Sequence, residues 1–213
     1  MNYSKSLRWL IVVSFSAAIT LPSVAQEKQK KAGQPSESEM MATMMELAKP
    51  GENHKLMARG LGAWTYTVKM WMDPDGKTPP LESSGSAVTR ELMNGRFFLS
   101  EHTGKMQMPG PDGKLTDMEF RGMSIEGYDN VKKRFVASWI DNMGTGIMNL
   151  EGMYNAPTKT FVYRGEYEPM PGMKTKVREV IKVIDHDHHT FEFYEDRGGT
   201  EVRTMEIQYT RKS

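Results

Sequence analysis

Trp64, Tyr66, Val68, Met70 and Met72 alternate with Thr65, Thr67, Lys69 and Trp71. An apolar period of two predicts a β-strand with one buried face. The same grammar repeats to the end of the chain. A second strand, Glu82 to Leu92, meets a third, Arg96 to Met106, across Met93-Asn94-Gly95, a strong hairpin signal. A loop around Pro109–Gly113 leads to a fourth strand, Asp117 to Ile125. Gly127-Tyr128-Asp129-Asn130 and Lys132-Lys133 then turn into a fifth strand, Phe135 to Asp141, and Asn142–Gly146 reverses into a sixth, Ile147 to Gly152. Further strands are predicted at Thr160–Glu168, Thr175–Asp185, Thr190–Glu195 and Glu201–Arg211.

About ten consecutive strands joined by short links form an all-β antiparallel meander. Closing the meander into a β-barrel removes two exposed edges, although a flattened two-sheet sandwich also fits the pattern. A barrel of about ten strands encloses more space than side chains readily fill, so an internal cavity is the expected functional element.

Helical periodicity is confined to the part before the strands. Ser36 with Glu39 is a capping box, and Pro50-Gly51 ends the run. Met41, Met44, Met45 and Ala48 fall on one stripe of this helix. A second short helix is expected over Glu52–Arg59, stopped by Gly60. Residues 36–59 thus form a helical segment ahead of a barrel domain over 60–213. Gln26 to Pro35 is polar and Lys/Gln-rich, the composition of a disordered spacer.

Residues 1–25 read as a signal peptide. Lys5 and Arg8 are basic, Trp9 to Leu21 is apolar, and Pro22-Ser23-Val24-Ala25 ends in small residues. Cleavage after Ala25 and a periplasmic or secreted location are the expectation. The apolar run is short for a bilayer span, so no membrane span is expected after cleavage.

Composition narrows the chemistry. The 213 residues include no Cys, which excludes thiol catalysis, thiolate metal sites and disulfides. Of 28 basic and 27 acidic side chains, losing Lys5 and Arg8 with the leader leaves 26 against 27. Interspersed, near-neutral charge makes no case for nucleic acid. Gly-x-Ser-x-Gly, His-Glu-x-x-His and a phosphate-cradling Gly loop are all absent, and no catalysis is expected.

Several stretches resemble a bacterial family known as domain of unknown function 1579. They are Gly62-Ala63-Trp64-Thr65-Tyr66-Thr67-Val68, Asn94-Gly95-Arg96-Phe97, Gly127-Tyr128-Asp129-Asn130, Trp139 to Gly146, and Met205 to Arg211. The resemblance spans roughly Leu47 to Lys212. It implies a lipocalin-like (calycin-type) barrel and carries no established activity. Fold alone does not assign chemistry.

Strand parity supplies the candidate site. The inward set is Trp64, Tyr66, Val68 and Met70, then Phe120, then Phe135, Ala137 and Trp139, then Ile181 and Val183, and finally Met205, Ile207 and Tyr209. Such a lining suits a small apolar or amphipathic ligand, or else these side chains simply fill the barrel. The same parity turns Asp141 and Glu179 inward, with Arg121 and Arg178 as potential partners. A carboxylate there would orient a ligand's polar end, serve as general acid or base, or sit near a strand end in water. The expected ligand-binding residues are therefore Trp64, Tyr66, Met70, Phe120, Trp139, Asp141, Glu179 and Tyr209.

Metal and haem are the alternatives. His186, His188 and His189 in Asp185-His186-Asp187-His188-His189 have the donor density for a transition metal. His102 on the third strand is a candidate haem-iron ligand, because the haem-binding nitrobindins share the barrel type. The 19 methionines include Met70-x-Met72 and Met106-x-Met108, which would suit Cu(I) if they were not core filler. No cofactor is expected under the leading reading.

Overall fold

The computed structural model describes residues 35–73, 78–110 and 112–213. The predicted leader, its cleavage point and all but the last residue of the spacer lie outside these residues. So do Pro74–Lys77 of the first strand's turn.

Two helices precede the sheet, α1 (Glu37–Leu47) and α2 (Glu52–Ala58). Ten strands follow: β1 (Gly62–Met70), β2 (Leu81–Leu92), β3 (Phe97–Pro109), β4 (Leu115–Asp129), β5 (Arg134–Asp141), β6 (Met148–Asn155), β7 (Thr160–Tyr167), β8 (Thr175–Val183), β9 (His188–Arg197) and β10 (Thr200–Arg211). Each pairs antiparallel with its chain neighbours, and β1 pairs with β10, so the meander closes as a barrel rather than flattening into a sandwich. Trp64 faces Arg211 and Met70 faces Met205 across that seam.

Local chemistry accounts for the turns. Met93, Asn94 and Gly95 all take positive φ (51°, 57° and 75°), the left-handed backbone a tight β2–β3 reversal needs. After β4, Asp129 Oδ1 accepts from the amides of Val131 and Lys132 at 2.8 and 3.0 Å, and Lys133 sits at φ 55°. Strand β4 runs four residues past its expected end, carrying Gly127–Asp129 into the sheet. After β5, Asn142 bridges back to β4, donating to Glu119 O at 2.8 Å and accepting from the Arg121 amide at 2.9 Å.

One end of the barrel is closed by α2. Leu56 and Met57 pack onto a buried cluster of Phe135, Leu150, Phe161, Tyr163 and Val177. The last carbonyls of α2 are met by the amides of Arg59, Gly60 and Leu61, and the carbonyls of those three residues are taken by the barrel. Trp64 Nε1 donates to Gly60 O at 3.0 Å, while Arg211 donates to Arg59 O at 2.9 Å and Leu61 O at 2.5 Å. Helix α1 is anchored at its end, where Asn130 Nδ2 donates to Leu47 O and Lys49 O at 2.8 and 2.9 Å. Its capping box forms as predicted, but its stripe stays in solvent: Met41, Met44 and Met45 are 58%, 65% and 64% exposed. No element packs on that face among the described residues.

The outward positions of β1 are Thr65, Thr67 and Lys69, all exposed. A lipid-facing strand would carry apolar residues there. No described helix is long and apolar enough to cross a membrane.

Candidate functional site

The barrel encloses a cavity of about 1730 Å³, larger than an ordinary small-molecule pocket. Its lining runs from the β5–β6 loop (Met143–Ile147) and Glu168-Pro169, which rim the end opposite α2, to Leu56–Leu61, Lys159 and His186 at the α2 end. Every predicted ligand-binding residue lines it: Trp64, Tyr66, Met70, Phe120, Trp139, Asp141, Glu179 and Tyr209. Of the wider inward set only Phe135 does not, because it is buried in the cluster beneath α2.

Glycines let the aromatic rings lie flat on the wall. A Cβ at Gly122 would meet Trp139 Cζ2 at 2.4 Å, and one at Gly85 would meet Tyr66 Cζ at the same distance. Tyr66 Oη donates to Thr103 O at 3.0 Å. Trp139 Nε1 donates to Asp141 Oδ2 at 2.7 Å, the contact that their shared strand face allows. Phe120 stacks on Trp139 at 6.4 Å between centroids.

Two histidines join this wall. His102 lies 5.3 Å from Trp139 and 6.0 Å from Tyr66, centroid to centroid. His189 stacks on Tyr209 at 4.4 Å and meets Trp64 edge-on at 4.5 Å. Burial pushes each imidazole down to about 4, and Arg211 and His102 add to the effect at His189. Both rings are therefore neutral at physiological pH. His102 makes no hydrogen bond among the described residues, so it keeps a nitrogen lone pair that suits an iron or zinc ligand.

The three histidines of the Asp185–His189 turn, a candidate metal site from the sequence, point apart. His189 points into the barrel, whereas His186 stays in the solvated turn and His188, the first residue of β9, takes the exposed face; they bond Asp187 at 2.6 Å and Asp185 at 2.9 Å. His102 belongs to a strand on another part of the wall. Among the described residues no three His, Asp or Glu side chains converge as a metal-binding group.

The interior carboxylates differ from expectation too. Glu179 is buried and lines the cavity, but neither arginine reaches it. Arg178 follows the opposite pleat, outward, where it bonds Glu201 at 2.8 Å and lies 3.8 Å over the Tyr194 ring. Arg121 is exposed and meets Glu119 at 3.4 Å. The group that sequence reading missed is Glu126. Its parity matches Phe120, yet β4 was expected to stop at Ile125, one residue short.

Glu126 Oε1 accepts from Ser124 Oγ at 2.8 Å. Burial raises its carboxyl, and the serine bond only partly opposes the rise. Glu179 is pushed up to about 8, first by burial and then by the Glu126 charge. Burial and these two carboxylates also raise the phenol of Tyr163, the cross-strand neighbour of Glu179. At the barrel end opposite α2, Tyr167 donates to Glu195, which Arg197 also holds at 3.0 Å. Strand periodicity could have found Glu195 and Arg197, since both extend the inward face of β9.

A family model described as "Protein of unknown function (DUF1579)" matches residues 49–211 of the chain. No curated protein matches it.

Proposed function

The chain belongs to the DUF1579 family, and we propose that it binds a small apolar or amphipathic molecule inside the barrel, without catalysing a reaction on it. The observation that carries this reading is the cavity of about 1730 Å³, walled by aromatic and Met side chains. Apolar walls with few convergent polar groups favour binding by desolvation, with orientation left to those few groups. Trp139, Tyr66, Phe120 and Met70 supply the apolar contact; Asp141 and Glu179 supply polarity. Export by the 1–25 leader, supported by its basic, apolar and small-residue order, places this binding in the periplasm or outside the cell.

The test is native mass spectrometry, with an absorbance spectrum, of untagged protein isolated from its own cells. The expected result is an organic mass released on denaturation and retained poorly by Trp139→Ala, whose far-UV spectrum stays β-rich. Ligand-free protein whose melting temperature does not rise across a lipid and metabolite panel would overturn the reading. A Soret band would replace it with haem binding, His102 being the residue to hold the iron.

A further inference from the structure

We propose that Glu126 and Glu179 form the head-group subsite for a cationic amphiphile, an organic amine or quaternary ammonium whose apolar tail lies along the aromatic and Met wall. The proposal rests on the ligand-binding reading above and specifies its chemistry.

Glu179 is only 9% exposed, sits in the middle of β8 and lines the cavity. Among the described residues it has no hydrogen-bond or ion-pair partner. Glu126, projecting from a strand four places away around the barrel, has only the Ser124 hydroxyl. Two carboxylates in an apolar enclosure without a counter-charge are costly. Five basic residues line the cavity, Arg59, Lys105, Lys159, Arg197 and Arg211. Arg197 pairs with Glu195, Arg211 is spent on carbonyls of the α2–β1 link, and none of the five forms an ion pair with Glu126 or Glu179. Among the described residues the cation that would balance the pair is thus missing.

The surroundings favour an organic cation. Glu179 is flanked across its strand pairs by Tyr163 and Phe193, and Tyr209 lies near enough to feel both carboxylates. Aromatic faces attract an alkylammonium that has shed its water. A hard metal ion would need six or more oxygens, which these walls do not supply. An anionic head would meet two carboxylates with no base to offset them, because His102 and His189 are held neutral. In the absence of the cation, burial and the Glu126 charge favour a proton on Glu179. The ammonium takes the place of that proton.

The experiment compares decyltrimethylammonium, decanol and decanoate, which share a tail length and differ in head charge. Their binding is measured by calorimetry on the purified protein, on Glu179→Gln and on Glu126→Gln, with folding checked by far-UV spectra. The expected order is ammonium tightest, by about tenfold or more over decanol, with decanoate weakest. Each Gln variant should erase most of that preference, bringing ammonium binding down toward that of decanol. Ammonium binding no tighter than decanol, decanoate binding tightest, or a preference that survives both substitutions would overturn the subsite while leaving the ligand-binding reading intact. Failure of all three amphiphiles to bind would overturn both.

Discussion

Arg211, in the last residue of β10, lays its guanidinium 4.1 Å over the indole of Trp64, the residue it faces across the barrel seam. The stacked pair works as one latch. Both side chains bond to backbone carbonyls in the α2–β1 link, so the contact that closes the sheet also holds down the helix that seals one end.

Arg211→Ala should therefore destabilise the protein by about 2–3 kcal/mol, from lost charged hydrogen bonds and the cation–π contact. Urea unfolding would measure it. Arg211→Lys should recover only part of the loss, because an ammonium cannot fork between two carbonyls while stacking. Faster hydrogen exchange at the α2 amides would accompany both variants.

Gly122→Ala should cost about 1–3 kcal/mol by overpacking, since the new methyl lands on the Trp139 ring. The near-UV circular dichroism of Trp139 should change with it. In a Trp139→Ala background the same substitution should be close to neutral, and this non-additivity separates a ring clash from a general backbone effect.

Stability should fall between about pH 6.5 and 8. The sign follows from Glu179, whose folded value of about 8 exceeds the ordinary glutamate value of 4.5. The native state holds more protons than the unfolded chain across that interval, so raising the pH favours unfolding. The inward His102 and His189 act in the opposite sense but lower down. Their folded values of about 4 lie below 6.5, so their contribution is lost as pH falls toward 4. Thermal melts across the range should show the alkaline decline disappearing in Glu179→Gln. A decline of unchanged slope in that variant would remove Glu179 as its cause.

N-terminal sequencing of protein from the native host should begin at Gln26, and fractionation should find it outside the cytoplasm. A start at Met1 in the cytoplasmic fraction would disprove export.

Much of the architecture was legible in the linear pattern because strand period, turn chemistry and capping are local. Trp64, Tyr66 and Val68 alternate with polar residues because the pleat sends successive side chains to opposite faces. That rule alone put Trp139 and Asp141 side by side. Ser36 and Glu39 declared a helix start, and Asn94-Gly95 declared a hairpin. Edge avoidance then argued for closure, and the β1–β10 seam supplies it.

What lies across the barrel was beyond local reading. Glu126 and Glu179 are separated by four strand positions and become electrostatic neighbours only once the sheet closes. The expected arginine partners failed for a simple reason: Arg178 is adjacent in sequence to Glu179, so the pleat turns it outward. The histidine run divided for a similar reason: His188 and His189 are neighbours on β9, so the pleat turns His189 inward and His188 out. Met41, Met44 and Met45 have helical spacing, yet spacing cannot say whether anything packs on the stripe. Periodicity determined which face each residue takes; only tertiary closure decided which faces meet, because interior distances depend on how many strands share the ring and in what register.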